Sequence, residues 1–180
     1  MKKKLFLLIS LTVFFFSSCI ITNNFSANYR LALNAIASGS KDSVKEYSAV
    51  LKNLAETRDQ ISIAYMISGY GQYLSGDFNK ALNEFITSND YQNNNDSNAG
   101  IILCYFMLDQ YKLLDFYLGE LDTFEDDWLM TVNYEILNQT KLYEICALSS
   151  AISKNKELFD TFESKVSVEK FLKMEGFFFE

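Results

Sequence analysis

The sequence predicts an all-α fold, and three observations carry that reading. Proline is absent from the 180 residues, so long helices run without the kink or break that its ring imposes. From Tyr29 onward, apolar residues recur three and four positions apart, separated by short polar turns. No segment shows the strict two-residue alternation of a half-buried strand.

The elements follow in order. Leu31, Leu33 and Ile36 lie on a first helix that stops at Gly39. Ser40 or Asp42 can cap a second, whose apolar stripe is Val44, Tyr47, Leu51 and Leu54. A third helix spans about Asp59 to Leu74 and ends before Gly76. A fourth, from about Asp77 to Asp90, carries Phe78, Ala81, Leu82 and Phe85. The run Asn93–Ser97 reads as a loop with Ser97 as the next cap, and two further helices flank Asp109-Gln110. Thr123 and Asp126 have capping-box spacing and open a seventh helix, which Asn138-Gln139-Thr140 breaks. An eighth runs to about Ser153, and two shorter helices complete residues 29–180 as one α-helical domain.

These helices come in pairs. The turns inside successive pairs are expected near Gly39, Gly76, Asp109 and Asn138, intervals of 37, 33 and 29 residues. The second pair, SGYGQYLSGDFNKALNEFITS, resembles the tetratricopeptide repeat, a helix–turn–helix unit of about 34 residues. Gly69 stands at that repeat's first-helix glycine, Gly76-Asp77-Phe78 at its turn, Ala81 at its close-packing alanine, and Phe85 at the aromatic one turn later. A shift of 33 residues lands on Ile101, Tyr105, Asp109, Tyr111, Leu114 and Leu118, which keeps the apolar places but sets Ile102 and Leu114 where small residues belong. The resemblance implies antiparallel helix pairs stacked as a short solenoid. It also implies a groove lined by first-helix positions, here Ile63, Met66, Tyr70, Tyr73 and Leu74, then Leu103, Phe106 and Met107, then Trp128, Val132 and Ile136. The Lys and Asn positions with which some members grip a peptide carboxylate have no counterpart here. An aromatic and Met-rich groove would suit an apolar helix or extended peptide, with Trp128 as an anchor; the alternative is that these side chains are core.

Composition removes several chemistries. Histidine is absent, which eliminates Ser-His-Asp and Cys-His catalysis and His-ligated zinc. Phosphate-loop, nucleophile-elbow and paired C-x-x-C motifs are also missing. Glu120, Asp122, Glu125, Asp126 and Asp127 cluster without the spacing of a calcium loop and fit a helix N-terminus instead. Cys104 and Cys146 sit in apolar helical context and read as core, with a disulfide between them as the alternative in an exported protein. The expectation is therefore no enzyme, no metal and no cofactor. The C-terminal Phe177–Phe179 would fold back on the last pair or offer a surface for self-association.

The N-terminus supplies an address. Lys2, Lys3 and Lys4 precede twelve residues, Leu5 to Phe16, that are mostly apolar, then Ser17, Ser18 and Cys19. The apolar stretch suits a signal segment and is shorter than the roughly 18 residues of a spanning helix. Residues 1–19 resemble a bacterial lipoprotein signal, with Phe16 where a leucine is usual. The resemblance implies removal of residues 1–18, lipid on Cys19, and a place on the outer membrane facing the periplasm. Residues 19–28 then form the lipidated cysteine and a short polar tether. Loss of three of the 16 basic residues leaves 13 against 23 acidic, a net charge near −10, which disfavours nucleic acid and anionic lipid as partners. The expected role is a non-catalytic scaffold for another envelope protein. Alternatives are a surface-displayed lipoprotein that contacts host molecules, a lipoprotein that pairs with a periplasmic solute-binding protein, or a subunit resembling the lipoprotein of the outer-membrane β-barrel assembly machinery.

Overall fold

The computed structural model describes residues 24–121, 139–162 and 165–166. Within them the chain is helical throughout: α1 (Phe25–Ala37), α2 (Lys41–Leu54), α3 (Arg58–Leu74), α4 (Phe78–Tyr91), α5 (Asn95–Met107), α6 (Tyr111–Glu120), α7 (Gln139–Ser153) and α8 (Lys156–Thr161). Side-chain caps set most of the starts, because the first N–H groups of a helix have no partner inside it. Asn24, Asp77, Asn94 and Asn155 each accept the backbone N–H three residues on. Thr57 and Gln60 form a reciprocal capping box at α3. Ser40 stands at the N-cap position of α2, but its hydroxyl donates to Ser43 Oγ at 2.9 Å instead.

Four hairpins, α1–α2, α3–α4, α5–α6 and α7–α8, turn on one backbone pattern. A left-handed position follows each first helix within two residues: Gly39 (φ 68°), Gly76 (φ 78°), Asp109 (φ 55°) and Lys154 (φ 61°). The next N–H reaches back to the carbonyl five residues earlier, Ser40 to Ala35, Asp77 to Gln72, Gln110 to Tyr105 and Asn155 to Ser150, at 2.8–3.1 Å. This is the Schellman arrangement, which uses carbonyls that a helix end otherwise leaves orphaned. The same four residues, Ser40, Asp77, Gln110 and Asn155, are the N-cap positions of the second helices. One residue thus closes one helix and opens the next, which makes every turn tight.

The hairpins stack. The first helices α1, α3, α5 and α7 form a row in which each touches the next. The second helices α2, α4 and α6 each lie against the two first helices on either side. Central in this stack, α5 is buried along Asp96–Cys104 without interruption. The arrangement is an all-α, repeat-like stack of antiparallel helix pairs.

Two expectations change. The first helix begins at Phe25, inside the proposed tether of residues 19–28, because Asn24 caps it. Asn94, not Ser97, caps α5; Ser97 lies within the helix, and its N–H is the one Asn94 accepts at 2.8 Å. A turn of the same kind falls at Lys154, between α7 and α8, while the turn expected near Asn138 lies outside the described residues. Ile102 does hold the place of a small residue, and Gly100, two positions earlier, faces Phe85 of the preceding hairpin. Residues 1–23, the capping box at Thr123 and Asp126, and a tenth helix beyond Val166 lie outside the described residues.

Candidate functional site

Close packing surrounds Phe85. This α4 ring is fully buried and wedged between two helices that present glycine to it, α3 through Gly69 and α5 through Gly100. A Cβ at Gly69 would stand 2.6 Å from the ring and one at Gly100 2.5 Å, closer than side-chain carbons approach. Tyr70 meets the same ring edge-on at a 4.9 Å centroid distance, a favoured aromatic geometry. Ala81 is fully buried one turn before Phe85, while Phe78 packs at 5.3 Å against Tyr73 across the Gly76 turn.

This packing corrects the groove assignment. Met66 and Tyr70 are each 2% exposed, and the Tyr70 hydroxyl donates to the Asp96 carbonyl at 2.9 Å. Burial, then the neighbouring Asp96, push the Tyr70 phenol well above its ordinary pKa. Leu103 is buried as well, at 3% exposure. None of these three can grip a peptide, because each is closed into the body of the stack. Tyr73 and Phe106 are half-buried, the latter against Tyr111 at 5.8 Å. Of the described groove candidates, Met107 alone is an exposed large side chain. Trp128, Val132 and Ile136 lie outside the described residues, as do Cys19 and Phe177–Phe179.

At the other end of α4 the interior is polar. Ser62 donates to the Gln92 carbonyl at 3.0 Å, Ser88 to the Ser62 carbonyl at 2.8 Å, and Ser97 to Ser88 Oγ at 2.8 Å. The Asn94 amide, already the cap of α5, donates to Ser62 Oγ at 3.0 Å and Ser88 Oγ at 3.2 Å. Asn98 accepts from Tyr117 at 2.7 Å and donates to Asn93 Oδ1 at 3.0 Å. These bonds satisfy groups that burial would otherwise strand at a cost of about 1–3 kcal/mol each. The asparagine run that reads as a plain loop is therefore a joint binding α3, α4, α5 and α6. Each serine proton goes to a carbonyl or another hydroxyl, so the cluster holds structure and activates no nucleophile.

The two thiols are likewise inert. Cys104 and Cys146 are fully buried and unbridged. Burial pushes Cys104 up to about 12, and burial with the nearby Asp115 carboxylate pushes Cys146 up as well. A thiolate is the reactive form, so both are poor nucleophiles at neutral pH. Among the described residues, no group of three His, Cys, Asp or Glu is placed to hold a metal ion, and no helix is long and apolar enough to cross a membrane.

One surface escaped the sequence reading. On α6, Leu114 and Leu118 face the core, while Leu113 is 51% and Phe116 69% exposed. Gly119 continues that outer stripe, with open space where a Cβ would point. Leu113 also borders an open cleft of about 350 Å³, lined by the Asp109–Lys112 turn of α5–α6 and by Ile152 and Ser153 at the end of α7. The spacing of Leu113 and Phe116 is visible in the sequence, but a ten-residue helix with apolar residues on two faces does not reveal which one is inside. Compared with known proteins, the chain matches no family model, no curated protein and no solved structure.

Proposed function

We propose that the chain is a lipid-anchored envelope protein whose stack of helix pairs serves as a non-catalytic scaffold for another envelope protein. The observation that carries this reading is the joining of two features in one chain. A lipoprotein-like segment ending in Cys19 stands just ahead of a repeat-like stack whose first helix begins at Phe25. Only Ile20–Asn24 separate the lipid site from that helix, a reach of at most about 18 Å. The stack would therefore ride close to the bilayer, which favours the periplasmic face of the outer membrane over display on a long leader. The buried serines at Ser62, Ser88 and Ser97 are engaged in hydrogen bonds and both described thiols are buried, while Met107, Leu113 and Phe116 are exposed apolar side chains suited to protein contact.

Two measurements test this. Labelled fatty acid should be incorporated into the wild-type chain and not into Cys19→Ala, and Cys19→Ala should leave the membrane fraction. Continued full partition of Cys19→Ala with membranes would sink the anchor. Crosslinking in intact envelopes should capture one protein reproducibly; recovery of none would sink the scaffold.

A further inference from the structure

Charge is divided unevenly along the mature chain. None of the 23 acidic residues precedes Asp42, and residues 19–41 carry two basic ones, Arg30 and Lys41. Residues 42–180 set 11 basic against 23 acidic residues, a formal charge of −12. Among the described helices, α1 alone has no acidic residue. It begins the row and packs on α2 and α3, burying Asn28, Ala32, Ala35 and Ile36. Ser26, Arg30, Leu31, Asn34 and Ala37 are exposed, Leu31 at 37%. Arg30 forms no ion pair among the described residues, whereas Lys52, Lys80 and Lys156 each meet a carboxylate at 2.6–3.1 Å.

We infer that the exposed face of α1 is a lipid-contact surface, seated on the bilayer that carries the anchor at Cys19. This rests on the lipid-anchor reading. Reach and charge together name the occupant. The five residues Ile20–Asn24 hold the start of α1 within about 18 Å of the lipid site. The 13-residue α1 is itself about 20 Å long, so a helix tethered this closely meets the headgroups whenever it lies flat. A bilayer surface with anionic lipid attracts cations and repels carboxylates. Its potential fades over about 8 Å at physiological salt, and a helix is about 10 Å across. With α1 against the surface, carboxylates behind it are therefore largely screened, while Arg30 meets the headgroups. Leu31 adds an apolar contact beside that charge, and interfacial helices combine these two contributions. The exposed apolar area of α1 is small, so the lipid supplies the affinity and α1 sets the orientation. The acidic remainder of the stack is then turned toward a protein partner.

The test uses the lipidated full mature chain in vesicles of phosphatidylethanolamine and phosphatidylglycerol that contain a nitroxide-labelled lipid as quencher. A fluorophore is attached at Asn34→Cys on α1 and, in a second sample, at Lys80→Cys on α4. Both positions are exposed, and the buried Cys104 and Cys146 stay unlabelled. Quenching by the lipid should be at least threefold stronger at position 34 than at position 80. Equal quenching, in a chain that floats with the vesicles, overturns the inference and leaves the anchor standing. A chain that does not float sinks the anchor and the inference together. The Arg30→Glu, Leu31→Glu double variant changes two exposed positions, so the stack stays folded. It should still float through its lipid, while quenching at position 34 falls to the level at position 80. Unchanged quenching in this variant would overturn the inference.

Discussion

In the α3–α4 hairpin the left-handed turn position is Gly76 at φ 78°, followed by the cap Asp77. In the α7–α8 hairpin it is Lys154 at φ 61°, followed by the cap Asn155. The backbone bonds are the same: Asp77 N–H to the Gln72 carbonyl at 3.1 Å, Asn155 N–H to the Ser150 carbonyl at 2.8 Å. What differs is the packing behind each turn. The Phe85 ring of the α3–α4 hairpin sits between Gly69 and Gly100, whereas Phe159 of the short α8 and Phe162 just after it are the rings buried behind the Lys154 turn. One backbone solution thus serves a turn whose residue favours it and a turn whose residue resists it. Lysine in the left-handed region costs about 1 kcal/mol relative to glycine, and the neighbouring helix contacts must offset that.

The comparison can be broken most severely at its packed end. Phe85→Ala should lower unfolding free energy by about 3–5 kcal/mol, read from denaturant midpoints, because a buried ring leaves a cavity that two fixed helices cannot close. Gly69→Ala and Gly100→Ala should each cost about 1–3 kcal/mol, since the ring cannot retreat from one helix without striking the other. The same glycine changes made in a Phe85→Leu background should cost less; equal costs in both backgrounds would show that the wedge is not the cause. Asn94→Ala should cost about 1–2 kcal/mol by removing a helix cap and two amide bonds to Ser62 and Ser88. The smallest changes are a mirrored pair. Lys154→Gly should raise stability and Gly76→Ala lower it, each by about 1 kcal/mol, measured by thermal unfolding.

Particular residues show how far the sequence reached. Gly39, Gly76 and Asp109 stand at real turns because glycine, and more weakly aspartate, marks a left-handed position locally. Lys154 carries no such mark, so the turn between α7 and α8 leaves no local signal. Any of Asn93, Asn94 or Ser97 could have capped α5 by type; only the approach of Ser62 and Ser88 from neighbouring helices selects Asn94. Gly69 and Phe85 were legible as partners through repeat spacing within one hairpin. Gly100 was not, because its role is to admit a ring from the preceding hairpin. The groove candidates failed in the same way. Their register on α3 was legible, yet the 2% exposure of Met66 and Tyr70 depends on what packs over them.

By itself, then, the sequence determined the helical class, the sites of the glycine turns and the side chains able to cap, all of which are interactions among residues a few positions apart. The tertiary structure decided which apolar face each helix buries, the wedge of Phe85 between two helices, the polar joint at Asn94, and the left-handed turn at Lys154. Those are contacts between residues tens of positions apart, or backbone strain offset by such contacts, and a local pattern carries no record of either.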